Sequence, residues 1–242
     1  LQPIGYANAE LDKKAATSLL TLNGLKKFLA GGVPAREDCL EYSKLVHRQS
    51  RIGIVIDGDR LATRKGDLYA IELLTLGTKG ELPDCEIEIY CEIQAEESLL
   101  QALDGLCQKG WTIPIGGEGK YAAVSTQKAM DWPSYDGTRK SSVWYLATPT
   151  FLDGESSRSR YHANRPIPKD VDVIAAASGS PLPVSGWDIA RNCPRPVRFA
   201  IPAGATYFVR NSGNDHGFLE GPEAETLRQE GWGFALQGKW ED

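Results

Sequence analysis

Residues 85–115 read CEIEIYCEIQAEESLLQALDGLCQKGWTIPI, and the changes of period inside that stretch decide the fold class. From Cys85 to Ile93 the side chains alternate, Ile87, Ile89 and Cys91 against Glu86, Glu88 and Glu92. Period two puts successive side chains on opposite faces, so a strand buried on one side is expected here. Leu99, Leu103 and Leu106 then form a helix stripe, with Ser98 and Gln101 placed as a capping box and Gly110 as the stop. Trp111 to Ile115 opens a second strand. Strand, helix and strand in about thirty residues make the βαβ half of a ferredoxin-like domain, a unit that many α/β folds share.

Upstream, residues 15–30 space Leu19, Leu22, Leu25 and Leu29 as a helix face, which Gly31, Gly32 and Pro34 bring to an end. Arg51–Asp57 and Leu68–Leu76 are expected as strands joined by a basic connection holding Arg60, Arg64 and Lys65. The polar segment 128–142 marks a boundary between a first half, 1–127, and a second, 128–242. In the second half, strands are expected at Val143–Phe151, Asp172–Ala177, Val197–Ala200 and Thr206–Arg210. A helix opening at Gly221-Pro222 runs through Arg228, and Gly231 closes it before a strand at Trp232–Leu236. The expected class is therefore α/β in the α+β sense, with two mixed halves.

At 242 residues, 41% hydrophobic and 24% charged, the chain has the composition of an ordinary globular protein. Its longest apolar runs, such as Val173–Ala177 and Val197–Ile201, fall far short of the roughly 20 residues that span a bilayer. Residues 1–30 carry Glu10, Asp12, Lys13, Lys14 and Lys26, which leaves no uninterrupted apolar core for a secretory signal. A cytoplasmic location is the expectation. Cys39, Cys85, Cys91, Cys107 and Cys193 are odd in number and show no C-x-x-C spacing, so reduced thiols are expected rather than disulfides or zinc.

The net charge of −5 does not suggest a nucleic-acid binder, but the charges are segregated. Between Glu81 and Asp104 there are eight acids and no Lys or Arg, whereas residues 189–214 hold Arg191, Arg195, Arg198 and Arg210 and no acid. One basic face on an acidic protein is compatible with that distribution.

Three glycine- or arginine-rich segments carry the candidate chemistry. In IPIGGEGKYAAV, residues 113–124, Gly116, Gly117 and Gly119 allow main-chain N–H groups to approach a phosphate, and Lys120 adds a point charge. The spacing matches neither the Walker loop nor the dinucleotide fingerprint, so a purely structural turn is the competing reading. In SGWDIARNCPRPVRFAIPAGATYFVR, residues 185–210, Trp187 lies beside the arginines, the equipment for stacking a splayed base and gripping phosphate. A core role for Trp187 is the alternative. EGWGFALQGK, residues 230–239, is the third. His47, His162 and His216 sit in no metal or catalytic spacing, and no G-x-S-x-G elbow occurs.

Taken in order, GLKKFLAGGVP (24–34), SRIGIVIDGDRLATRKGDLYAIELLTL (50–76), IPIGGEGKYAAV, SGWDIARNCPRPVRFAIPAGATYFV (185–209) and EGWGFALQGK resemble the RAMP-superfamily subunit of Cmr-type (type III-B) CRISPR effector complexes. That resemblance implies two ferredoxin-like (RRM-like) halves with glycine-rich loops, no catalytic duty and no cofactor. It implies contact with the 5′ handle of the guide RNA, the large polymerase-like subunit and the first backbone subunit. Gly116, Gly117, Lys120 and the Trp187/Arg191 neighbourhood become RNA-contact candidates; Arg195 and Arg198 join them on local charge. The family begins with a further strand and helix that have no counterpart here, and the first residue is Leu, so the first half is expected to lack its opening elements. Two other classes compete: a metal-independent, repeat-RNA-processing endoribonuclease of the same superfamily with His47 or His162 as general base, and a protein-only adaptor.

Overall fold

The computed structural model describes residues 18–59, 62–77, 87–116, 119–133, 141–151, 172–210 and 223–240. The chain divides into two units, Leu1–Lys44 with Pro133–Asp242, and Leu45–Trp132. In the first, β1 (Ser18–Leu20) and β2 (Cys39–Glu41) pair antiparallel, with α1 (Leu22–Leu29) between them in sequence. Thr21 has extended backbone, and its hydroxyl accepts the Gly24 N–H at 3.1 Å. That cap sets the helix start at Leu22 rather than at residue 15, and Leu19 goes into a ladder instead of a helix face. A one-turn 3-10 segment (Arg36–Asp38) precedes β2, and α2 (Tyr42–Leu45) follows it.

The second unit opens with a long antiparallel hairpin, β3 (Val46–Asp57) and β4 (Ala62–Leu76), with a register shift between Ile54 and Ile56. Both strands run beyond their apolar stretches because backbone pairing continues through polar residues such as Arg48 and Ser50. Next come α3 (Glu97–Gln108), β5 (Thr112–Pro114) and β6 (Tyr121–Ala123).

The expected βαβ unit does not form among the described residues. Residues 87–96 have no ladder partner, and β5 pairs antiparallel with β6. Side chains tie the extended segment down instead: the Tyr90 hydroxyl accepts the Met130 N–H at 3.2 Å and Glu92 accepts the Trp132 indole N–H at 2.7 Å. The capping box is also absent. Glu96 is the N-cap, without a side-chain bond, and Gln101 donates to Glu97 at 3.0 Å within the helix.

Returning to the first unit, β7 (Ser141–Leu146) and β8 (Thr150–Phe151) divide the single strand expected at 143–151. Pro149, just before β8, has no N–H to donate to a ladder. Then follow β9 (Asp172–Ala177), β10 (Leu182–Val184), β11 (Trp187–Asp188), β12 (Cys193–Pro194), β13 (Arg198–Ile201), β14 (Thr206–Arg210), α4 (Ala224–Gln229) and β15 (Ala235–Lys239). The strands form a four-stranded antiparallel sheet ordered β15-β7-β14-β9, a three-stranded sheet ordered β10-β13-β8, and the short ladder β11-β12. The last strand starts at Ala235 rather than Trp232, because Gly231 and Gly233 both have positive φ and Trp232 turns onto Phe151, ring centroids 4.5 Å apart. The Gly221-Pro222 helix start lies outside the described residues.

Alternation along β7 and β14 builds the core. Trp144, Leu146, Tyr207 and Val209 share one sheet face and meet Ile201 and Ala205. Burial pushes the Tyr207 hydroxyl pKa up to about 12. A second cluster joins Phe151 and Ala200 to Ala224 of α4. On the other face of the sheet, α1 crosses β15 at Gly238, where a Cβ would stand 2.6 Å from Leu29 Cα, so only glycine admits the helix at this distance. No described helix is long and apolar enough to cross a membrane.

Candidate nucleic-acid interface

The run SGWDIARNCPR, residues 185–195, folds back on itself as a projecting hairpin. The Ser185 hydroxyl donates to the Arg195 carbonyl at 2.8 Å, and the Arg195 N–H donates to the Gly186 carbonyl at 2.8 Å. Trp187 then pairs with Pro194 and Asp188 with Cys193. At the turn, the Asp188 carboxylate accepts the Arg191 N–H at 3.0 Å and Asn192 takes φ 51°. These are the local tasks for which Asp and Asn suit a tight turn.

The hairpin displays its large side chains instead of burying them. Trp187 is 56% exposed and Ile189, near the tip, 88%. Alternation places Trp187 on one face of the ladder and Arg195 on the other, and the Arg195 stem passes 3.9 Å from where a Gly186 Cβ would be. The Arg191 side chain is 83% exposed, and its 3.8 Å pairing with Asp188 is too long and too solvated to hold it. Trp187, Arg191 and Arg195 are thus brought together on one exposed element. A core role for Trp187 is excluded by its exposure.

Arg198 is engaged differently. Its guanidinium lies 4.1 Å from the centroid of the Phe151 ring and donates to Glu223 at 3.0 Å, which ties β13 to β8 and to the residue before α4. Gly116 and Gly119, with φ +71° and +63°, form the β5–β6 turn, closed by the Ile115 N–H donating to the Lys120 carbonyl at 3.1 Å. A Cβ on either glycine would meet nothing within 4 Å, and Lys120 is exposed. Gly117 lies outside the described residues, as does Arg60. Gly116 and Lys120 belong to the 45–132 unit, whereas Trp187, Arg191, Arg195 and Arg198 belong to the other.

His47 is exposed on β3, and His162 and His216 lie outside the described residues. Among the described residues there is no group of three His, Cys, Asp or Glu side chains able to hold a metal, and Cys39, Cys91, Cys107 and Cys193 are free thiols. One ion pair does have a clear electrostatic signature. Asp38 accepts from Lys27 Nζ at 2.7 Å and from the Ala35 N–H at 2.8 Å. The Lys27 bond first, then the Ala35 bond, hold the Asp38 carboxyl below the ordinary carboxylate range, and the same hydrogen bond raises Lys27. Sequence reading missed three aromatic residues, Phe28, Phe208 and Trp240, that meet at the end of α1. The signal that could have found Phe208 is the alternation within TYFVR, since Tyr207 and Val209 take the core face.

An exposed indole beside exposed guanidinium groups is able to stack a planar ring and to pair with an anion, and the whole-chain comparison leads to CRISPR-associated proteins. Residues 3–240 match the family described as CRISPR-associated protein (Cas_Cmr3), and the chain belongs to that family. The Cmr-type assignment carried by the ordered motifs is the same one. Among solved structures, the chain is similar to one in "Cryo-EM structure of the Type III-B Cmr-beta bound to cognate target RNA", with 19% identity over 79% of this chain and 57% of that one, and a TM-score of 0.46. A second, "Cryo-EM structure of the Type III-B Cmr-beta bound to cognate target RNA and AMPPnP, state 1", gives 18% identity over 72% of this chain and 49% of that one, with a TM-score of 0.45. The chain therefore spans about half the length of these two structural relatives. Comparison with curated proteins found no match.

Proposed function

We propose that this chain is a non-catalytic RNA-binding subunit of a type III-B Cmr effector complex and holds the 5′ handle of the guide RNA beside the large polymerase-like subunit and the first backbone subunit. The observation that carries this reading is the 185–195 hairpin, which presents an exposed indole and two exposed guanidinium groups on one element. An aromatic face can stack any base, and each arginine can neutralise a phosphate. Arg198 serves this reading from behind, through Phe151 and Glu223. The strand order of the larger sheet supports a ferredoxin-like second half: numbered along the chain as one to four, β7, β9, β14 and β15 lie in the order 4-1-3-2 with all neighbours antiparallel. The Gly116–Lys120 turn is the second RNA-contact candidate, with Gly117 included on sequence.

The test is to purify the chain with its natural partners and sequence the RNA that comes with it; short RNAs with one constant 5′ end are expected. Replacing Arg191 and Arg195 by Glu should flatten the salt dependence of RNA retention by about 0.7 in log–log slope for each phosphate that is no longer neutralised. An unchanged slope would move the RNA elsewhere. The non-catalytic part is tested by incubation with labelled repeat RNA, where no scission is expected; cleavage that disappears in His47→Ala or His162→Ala would make the chain a processing nuclease.

A further inference from the structure

The last turn of α1 and the sheet face beside it border an open cleft of about 370 Å³, lined by Phe28, Gly31, Gly32, Phe208, Lys239 and Trp240 among others. That volume is at the small end of small-molecule sites, which run from roughly 300 to 1,000 Å³. Its floor follows from register. Gly238, Val143 and Phe208 lie opposite one another on β15, β7 and β14 and so share a face. α1 covers the Gly238 end of that row through Leu29, then stops at Ala30. Phe208 is left half-buried, in a T-shaped pair with Trp240, ring centroids 5.6 Å apart and planes at 67°. A T-shaped pair leaves at least one face of each ring unstacked.

We propose that this cleft takes one unpaired RNA nucleobase, stacked on one of the Phe208 and Trp240 rings with the other ring at its edge, and with its amino edge toward the end of α1. The proposal rests on the RNA-binding reading above, and it adds a site on the sheet, apart from the 185–195 hairpin. Aromatic residues on the sheet of an RRM-like fold are a general means of stacking bases. The wall made by α1 narrows the ligand further. The Gly31 and Gly32 N–H groups are already donated to the Phe28 and Lys27 carbonyls at 2.9 Å. What the helix end offers is therefore its partial negative charge, which disfavours a phosphate and favours an amino donor. Adenine, cytosine and guanine carry such an amino group, and uracil does not. Lys239, exposed at the rim, is left to meet the backbone phosphate outside.

The experiment compares complexes reconstituted without RNA that differ only in this chain: parent, Phe208→Leu and Trp240→Leu, each with its melting temperature measured. Leucine keeps most of the volume and removes the ring. Affinity for short oligoadenylate and oligouridylate is measured across a salt series, and ultraviolet crosslinks from the parent are mapped to peptides. The parent is expected to prefer oligoadenylate. The variant that lacks the stacking ring should lose about five- to a hundredfold of that affinity, the size of one base–aromatic stack, the other variant less, with the salt slope unchanged in both. Crosslinks are expected at Phe28, Phe208 or Trp240. Folded variants that bind both RNAs like the parent, or crosslinks confined to other peptides, overturn the base site while RNA binding itself stands. A parent complex whose RNA affinity is the same with and without this chain overturns the RNA-binding reading and the base site together.

Discussion

The β7/β14 sheet and the β3/β4 hairpin are written in the same apolar alphabet, yet they end at opposite extremes of burial. Leu146, on β7, has no exposed surface, and Val143 and Tyr207 are almost as deep. On the hairpin, register puts Ile52, Ile54, Leu68, Leu74 and Leu76 on one face, and Ile52 is 79% and Leu68 68% exposed. An ion pair on that face, Arg48 to Glu72 at 3.2 Å, is itself exposed. Four strands with a helix and a second sheet beside them can close a core, whereas a two-stranded ribbon has no second layer of its own. Alternation therefore specifies a face that can be buried; what lies against it is a separate matter. An exposed apolar ribbon of this kind is typical of a surface that another protein covers, in keeping with the proposed place in a complex.

The sharpest way to break this contrast is to remove a side chain from each region. Leu146→Ala should cost about 2–5 kcal/mol of unfolding free energy by denaturant titration, because the transfer term and a residual cavity add. A loss no larger than that of a surface substitution would mean that the sheet is not the stabilising core. The paired change Ile52→Ser with Leu68→Ser should alter stability by no more than about 0.5 kcal/mol per site while lowering self-association of the isolated chain and weakening its recovery in the assembled complex. A large fall in stability with intact assembly would show that the ribbon is buried by the chain itself.

A finer comparison concerns pH, and it places one more determinant in the first unit. Asp38 has a folded pKa below its unfolded value, so its contribution is present above the unfolded value and lost as pH falls through the folded one. Lys27, with its folded pKa raised, adds a contribution that is lost only as pH rises through that higher value. Asp38→Asn should thus lower the melting temperature slightly at neutral pH, and the gap from the parent should close on acidification. No gap at neutral pH would mean that the Ala35 hydrogen bond, which asparagine can also accept, carries the whole effect.

Much of the local structure was legible beforehand. Asp172–Ala177 and Thr206–Arg210 match β9 and β14 at both ends, because apolar residues there coincide with ladder residues. The α3 stripe was legible too, as was the family, since five ordered motifs carry more information than any single spacing. The ladder missing from 87–93 was not, even though its alternation is regular, because pairing needs a neighbour and Tyr90 and Glu92 found side-chain partners instead. Nor was the start of α1, where the Thr21 cap and the β1–β2 pairing overrode a leucine repeat.

By itself, then, the sequence determined which residues prefer strand, helix or turn, where glycine had to stand, and which family the chain belongs to. Those properties are local or ordered along the chain, so they survive without any knowledge of contacts. Only the tertiary structure decided that Trp187 is exposed on a hairpin, that Arg198 faces Phe151 and Glu223, that Phe208 and Trp240 meet at the end of α1, and that Ile52 remains uncovered while Leu146 does not. Each of those outcomes depends on residues distant in sequence. Burial, stacking and charge pairing are set by which surfaces meet, and an arginine or an isoleucine carries the same local signature whichever surface it finds.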